Sequence, residues 1–168
     1  MGDRAGWSDY IAADTFIASS DLNALASGTA AANYKLGSAI DNRASQGHGY
    51  LYGDLEIVFR DGTPADTTVT TGSGAPYVDI YILPSLDGGT RYPTTNGASS
   101  AGPTQTGLRA RRWMLPASTA IGIIIIPRIP LFAGFFKGMI NWVGGVSFPS
   151  NNNCLARLYR HGERGGLT

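Results

Sequence analysis

Apolar and polar residues alternate with a period of two through much of the chain after residue 29. In Tyr50–Arg60 most of the aliphatic residues fall on one face, and the tyrosines and charged residues fall on the other. That is the pattern of a strand with one buried face. Similar apolar stretches, separated by turn-forming residues, predict further strands. The predicted strands are Ala30–Leu36, Tyr50–Arg60, Pro76–Leu83, Leu108–Leu115, Ala120–Ile126, Phe135–Val143 and Cys154–Arg160.

The most apolar stretch, Ile121–Ile126, does not alternate. A membrane-spanning helix needs about 20 apolar residues, and Pro127 and Arg128 interrupt this stretch too early. Consecutive isoleucines favour a strand because their side chains are branched at Cβ. We therefore predict a central strand, paired across a turn with Phe135–Val143. Because both faces are apolar, we expect its second face to be covered by Trp7–Phe16 or by another subunit.

Residues 1–28 lack the alternation and carry widely spaced apolar residues. We interpret them as an extended N-terminal arm, either folded back on its own domain or laid on a neighbouring subunit. Trp7, Tyr10 and Phe16 are its expected anchors, since large aromatic side chains are costly to leave exposed. Asp21–Ala26, with a polar start and a glycine after it, predicts one helical turn.

The length of 168 residues suits one domain. About seven or eight short strands with turns between them indicate an all-β, antiparallel β-sandwich of jelly-roll-like type over residues 29–161. Residues 162–168 form a predicted flexible tail. The single Cys154 excludes an intrachain disulfide. The N-terminus shows no secretion signal, so we expect synthesis in a cytoplasm.

Charge is unevenly distributed although the net charge is only +1. Residues 1–66 hold nine acidic and four basic residues, whereas residues 67–168 hold three acidic and nine basic ones. Such asymmetry predicts complementary contacts between neighbouring copies. Equally, the two halves can interleave within one fold and give an evenly mixed surface.

No residue pattern indicates catalysis, a cofactor or a metal. His48 and His161 are the only histidines, and neither stands in a recognisable nucleophile motif. Asp54 and Glu56 share a strand face, but exposed carboxylates of this kind are usually solvated or paired with arginine. Asp61–Asp66 lacks the spacing of a calcium loop. We expect no enzyme activity, and a hydrolase is disfavoured.

Basic residues gather near the predicted strand Leu108–Leu115. The alternation places Arg109, Arg111 and Trp113 on one face and Arg112 on the other. A nucleic-acid binder would carry a larger net positive charge, so acidic patches of a partner protein are the expected contacts. Arg128, between two prolines, is a further candidate contact. We expect neither nucleic acid nor membrane as a partner.

Tyrosines on the predicted strands suggest another class of function. Tyr50, Tyr52, Tyr77 and Tyr81 are expected to share an outer sheet face, and sugars stack on such platforms. A carbohydrate-binding module is therefore the alternative. The same rings would equally suit a subunit interface, where tyrosine is enriched.

The order of several short segments resembles a family of small β-sandwich virion proteins of tailed bacteriophages. The segments that carry the resemblance are Leu25–Gly28, Ile40–Asn42, Tyr52–Phe59, Pro76–Gly88, Arg91–Pro93, Ile126–Asn141 and Cys154–Arg160. The resemblance covers residues 22–160, and the block Tyr77–Gly88 is its most specific part.

The resemblance implies a jelly-roll-like domain located in the virion, which decorates or cements a capsid through contacts with the major capsid protein or other virion proteins. A homo-oligomer is expected, with a trimer favoured. The basic stretch Arg109–Arg112 and the arginine-rich tail depart from the family pattern. The position in the particle therefore stays open, with a receptor-contacting appendage or a tail or portal-vertex component as alternatives.

Overall fold

The fold is described from a computed structural model that covers residues 13–28, 33–43, 50–60, 67–85, 87–93, 109–150 and 153–161. Regular structure in these ranges is almost entirely β-strand, with one short helix, α1 (Ser19–Leu22). The strands are β1 (Asp14–Ile17), β2 (Tyr34–Asp41), β3 (Tyr52–Val58), β4 (Val69–Thr70), β5 (Tyr77–Pro84), β6 (Arg109–Met114), β7 (Ala120–Ile121), β8 (Ile123–Pro130), β9 (Phe135–Val143) and β10 (Leu155–His161).

Two four-stranded antiparallel sheets pack against each other. Sheet A has the order β1-β10-β3-β8, and sheet B has the order β2-β9-β5-β6. The two-residue strands β4 and β7 form a small separate ribbon. If the eight longer strands are counted alone, the chain passes back and forth between the sheets in the order of a jelly roll. The predicted all-β antiparallel sandwich is confirmed.

The core lies between the inner faces of the two sheets. Aliphatic side chains from both sheets fill most of it, including Ile57, Ile80 and Leu158, which are fully buried. An aromatic cluster closes one part: the ring centroids of Trp142 and Phe148 are 5.1 Å apart, and Phe59 lies beside both. The indole Nε1–H of Trp142 donates to the carbonyl of Val146 at 2.6 Å, so its one polar group is satisfied.

The region predicted as an arm contributes to this core from Asp14 onward. β1 pairs with β10 at one edge of sheet A. Phe16 is 0% exposed, and Ile17 and Leu22 are also buried. This part of the chain is thus folded back on its own domain, which was one of the two alternatives. Phe16 is a core residue, so its assignment as a partner contact is wrong.

Two expectations for the isoleucine run are wrong. β8 is an edge strand of sheet A, and it pairs with β3 and not with β9. Its side chains also alternate between buried and exposed: Ile124 and Ile126 enter the core, whereas Ile123 and Ile125 are 47% and 61% exposed. Within the described residues the second face is therefore open. Phe16 lies in the core, and the rest of the predicted cover, from Trp7 onward, falls largely outside the described residues, so cover by the arm or by another subunit stays a prediction.

The acidic and basic halves of the sequence interleave. β3, from the acidic half, lies between β8 and β10, which come from the basic half. An ion pair joins the halves, since Arg160 Nε lies 2.6 Å from Asp14 Oδ2, and His161 Nε2 contacts Asp54 Oδ1 at 2.9 Å. For the pair of Arg160 and Asp14 the charge asymmetry is neutralised within one chain and does not require a neighbouring copy.

Candidate functional site

The free edge of β8 presents Ile125, the most exposed large hydrophobic residue among those described. The backbone N–H of Phe59 donates to the carbonyl of Gly122 at 3.0 Å. This bond shows which residues of β8 turn their backbone groups toward β3. Residues of an antiparallel strand turn their backbone groups alternately toward and away from the partner. The N–H and C=O groups of Ile123 and Ile125 therefore point away from β3. We call these two residues, with their outward backbone groups, the isoleucine edge.

The isoleucine edge ends at Pro127. Proline has no N–H to donate, and its carbonyl accepts a hydrogen bond from Arg111 Nη1 at 3.0 Å. A β-bulge follows, where Arg128 adopts φ 53° and donates its N–H to Asp54 Oδ1 at 2.8 Å. Proline, charge and bulges are the usual means of blocking a sheet edge. They protect the second half of β8, and no strand among the described residues pairs with the outer side of the first half.

A shallow depression lies beside the isoleucine edge on the outer face of sheet A. It has a volume of about 300 Å³ and is lined by Asp54, Leu55, Glu56, Ile125 and Tyr159. The two carboxylates already accept hydrogen bonds: Glu56 Oε2 receives one from the Tyr159 hydroxyl at 3.0 Å, and Asp54 Oδ1 contacts His161 Nε2. Both carboxylates in the depression are thus already hydrogen-bonded, and Leu55 and Ile125 form the apolar part of its lining.

The depression does not assemble recognisable metal or triad chemistry. No group of three or more histidine, cysteine or acidic side chains able to hold a metal ion is found in the described parts of the chain. His161 belongs to β10 and faces Asp54, whereas His48 and Asp61–Asp66 lie outside the described residues. Cys154 is buried, and burial raises the pKa of its thiol, which disfavours the reactive thiolate.

The arginine cluster is largely committed to contacts within the chain. Arg112 Nε and Nη2 each donate to a different oxygen of Asp79 at 2.7 Å, and Arg109 Nη1 lies 3.6 Å from the same carboxylate. Hydrogen bonding to Asp79 raises the pKa of Arg112. The guanidinium of Arg112 also lies 3.8 Å from the ring centroid of Tyr77. Half-exposed arginines paired in this way have fewer donors left for a partner.

The remaining contact candidates have different positions. The guanidinium of Arg111 lies 5.4 Å from the ring centroid of Trp113, and Trp113 itself packs against the core. Arg128 is exposed and lies 5.3 Å from the ring centroid of Tyr52. Of the described candidates, Arg111, through its bond to the Pro127 carbonyl, and Arg128 lie next to the isoleucine edge. Trp7 and Tyr10 lie outside the described residues.

The expected platform of four tyrosines is not formed. Tyr52 belongs to β3 in sheet A, with Tyr50 shortly before it, whereas Tyr77 and Tyr81 belong to β5 in sheet B. Tyr81 is also buried, in a small cluster with Leu83 and Met139. The four rings therefore cannot stack together on one ligand.

Sequence reasoning missed the isoleucine edge because Ile121–Ile126 is apolar at every position except Gly122. The alternation that reveals an exposed face elsewhere is absent there. The proline and arginine that follow the run were a usable signal, since such residues typically guard exposed edges.

Comparison of the chain with protein-family models, with curated proteins and with solved structures gives no match. Among the described residues, no helix has the length and hydropathy needed to cross a bilayer.

Proposed function

We propose that this protein is a structural component of a tailed-bacteriophage virion, a capsid decoration or cement protein that stabilises the shell through protein–protein contacts. The observation that carries the proposal is the isoleucine edge, an apolar sheet edge on a jelly-roll domain that no other strand in the described part of the chain pairs with. Jelly rolls build many viral capsid proteins, and also lectins and cupins. The fold alone is therefore compatible with several functions.

The edge supports a binding role because it offers two kinds of contact. Ile123 and Ile125 present apolar area, and removal of such area from water contributes about 25 cal/mol per Å² before the costs of association are subtracted. Their free backbone groups are able to extend a sheet, a common mode of association. A cement protein acts by spreading contacts of this type over neighbouring subunits. Each such contact adds to the free energy needed to separate the neighbouring shell subunits.

Purified particles provide the test. The chain should be detected by mass spectrometry in particles purified by density gradient, and purified protein should bind empty shells. A copy number in the hundreds indicates decoration, whereas about a dozen copies or fewer indicate a tail or portal-vertex position. Absence from particles, together with no binding to shells, would overturn the proposal.

A carbohydrate-binding or receptor-contacting appendage is the second candidate. The depression lined by Asp54, Glu56 and Tyr159 favours it, because carboxylates and a tyrosine beside an apolar wall are suited to sugar hydroxyls and ring faces. A glycan array with the purified protein tests this candidate. Binding that is lost in Tyr159→Ala, without binding to shells, would favour the appendage over the cement protein.

A further inference from the structure

We propose that the isoleucine edge pairs with the isoleucine edge of a second copy of this chain, antiparallel about a two-fold axis. The two β8 strands would then join the A sheets of both copies into one continuous sheet. This inference rests on the proposed function in one respect: it names the partner of the surface that carries that function. Its test uses the isolated protein and so does not depend on the virion.

The free backbone groups define the register. Only residues whose N–H and C=O groups point away from β3 are able to bond across the edge, and these are Ile123 and Ile125. In an antiparallel two-fold pair centred on Ile124, Ile123 of each copy lies opposite Ile125 of the other. Every outward donor and acceptor of both residues then has a partner, which a buried edge requires.

A neighbouring register is less favourable. Centred on Ile125, the pair would place Ile123 opposite Pro127 of the second copy. Pro127 has no N–H, and its carbonyl already accepts from Arg111. Only the two hydrogen bonds between the Ile125 residues would remain, against four in the pair centred on Ile124, so the latter is the register we propose.

The side chains support the same arrangement. Ile123 and Ile125 project from the outer face of sheet A, so the pair brings the isoleucines of both copies together as directly opposed neighbours. The residue opposite Ile125 on β3 is Glu56. In the joined sheet the two Glu56 residues are about three strand spacings, or about 14 Å, apart. That exceeds the Debye length of about 8 Å at physiological ionic strength, so their repulsion is screened.

Sedimentation measures the association. We expect the wild-type protein to dimerise with a dissociation constant that Ile125→Lys raises at least about tenfold, because the substitution places charge in the apolar seam. Leu51→Lys is the matched control, since Leu51 is 51% exposed but directly precedes β3, at the end of that strand away from Ile123 and Ile125. Leu51→Lys should leave the dissociation constant of the dimer unchanged. A monomer at all concentrations, a trimer, or equal effects of both substitutions would overturn the proposal.

Cysteine cross-linking tests the register. Directly opposite residues of a hydrogen-bonded antiparallel pair have Cα atoms about 5.5 Å apart, within the range of a disulfide. Ile123→Cys mixed with Ile125→Cys should therefore cross-link, whereas each variant alone should not, because identical positions are diagonal and about 7–8 Å apart. The single native thiol, Cys154, is 1% exposed and gives little background. Cross-linking of Ile125→Cys alone would overturn the register.

The two proposals fail in different ways. A dimer that forms through β8 in the isolated protein but is absent from particles contradicts only the virion role. Binding to shells by a protein that stays monomeric at all concentrations contradicts only the pairing. Circular dichroism of each variant confirms that the fold is retained in both experiments.

Discussion

The ring of Phe16 lies against the backbone of Gly138, so closely that a Cβ on that glycine would overlap Cε2 of Phe16. The contact joins β1 of sheet A to β9 of sheet B across the core. We predict that Gly138→Ala destabilises the protein by about 1–3 kcal/mol, because an added methyl in a filled core displaces its neighbours. Equilibrium unfolding in urea measures the change.

Gly74 is the control for this substitution, since a Cβ there would have no heavy atom within 4 Å. Gly74→Ala should change the free energy of unfolding by no more than about 0.5 kcal/mol. Equal losses in the two variants would show that Phe16 does not pack on Gly138.

Two N-terminal truncations should show that residues 1–12 and β1, both within the segment predicted as an arm, differ in their importance for folding. Removal of residues 1–12 should leave a cooperative thermal transition, because β1 and its buried side chains begin after them. Removal of residues 1–17 deletes Phe16 and Ile17 from the core, and loss of a buried phenylalanine alone costs about 3–5 kcal/mol. We expect that product to be unfolded or nearly so by circular dichroism. A fully folded protein after the longer deletion would contradict the assignment of β1.

Asp79→Asn should destabilise the protein by about 1–3 kcal/mol, the typical value of hydrogen bonds to charged groups. The carboxylate side chain is 3% exposed and receives both donors of Arg112. The arginines are partly exposed and are able to turn to solvent, so the loss should be smaller than for a fully buried pair.

The exposed pair of Arg91 and Asp87, 4.0 Å apart, is the comparison. Arg91→Gln should have almost no effect on unfolding.

Acid should weaken one local contact in a defined pH range. Hydrogen bonds from the Arg43 side chain lower the pKa of Asp41 from 3.8 to about 2. Because the folded pKa is depressed, the contact stabilises the protein above about pH 4 and is lost as pH falls from about 4 to 2. The effect is small, since both side chains are largely exposed. The difference in Tm between wild type and Asp41→Asn should shrink over this range; a constant difference would contradict the prediction.

The strands were predictable where their two faces differ. Tyr50–Arg60 overlaps closely with β3, because alternation records which side meets the core. Pro76–Leu83 overlaps closely with β5, which is buried on both faces, because a short apolar run bounded by turn residues also predicts a strand. β1 was missed because four residues are too few to show a period. The partner of β8 was also not predictable, since β3 lies far back in the chain and no local pattern records which distant strand it will join.

The arginine cluster shows a second limit. Strict alternation separates Arg109 from Arg112, yet both contact Asp79. A register shift between Ile80 and Tyr81 in the β5–β6 ladder lies between their pairing positions, and such a bulge changes which face a residue occupies. Bulges depend on pairing with a particular neighbour. A sequence-based assignment of residues to the two faces of a strand therefore fails beyond the first bulge.

The position of β10 governs when this protein is able to fold during synthesis. β10 lies between β1 and β3 in sheet A, yet it follows every other strand of that sheet in the chain. Until residue 161 has left the ribosome, β1 has no partner in the sheet and β3 is paired on one side only. The nascent chain must therefore carry β1, with Phe16 and Ile17, and one side of β3 without their sheet partner until β10 is inserted, and unpaired strands of this kind are prone to aggregate.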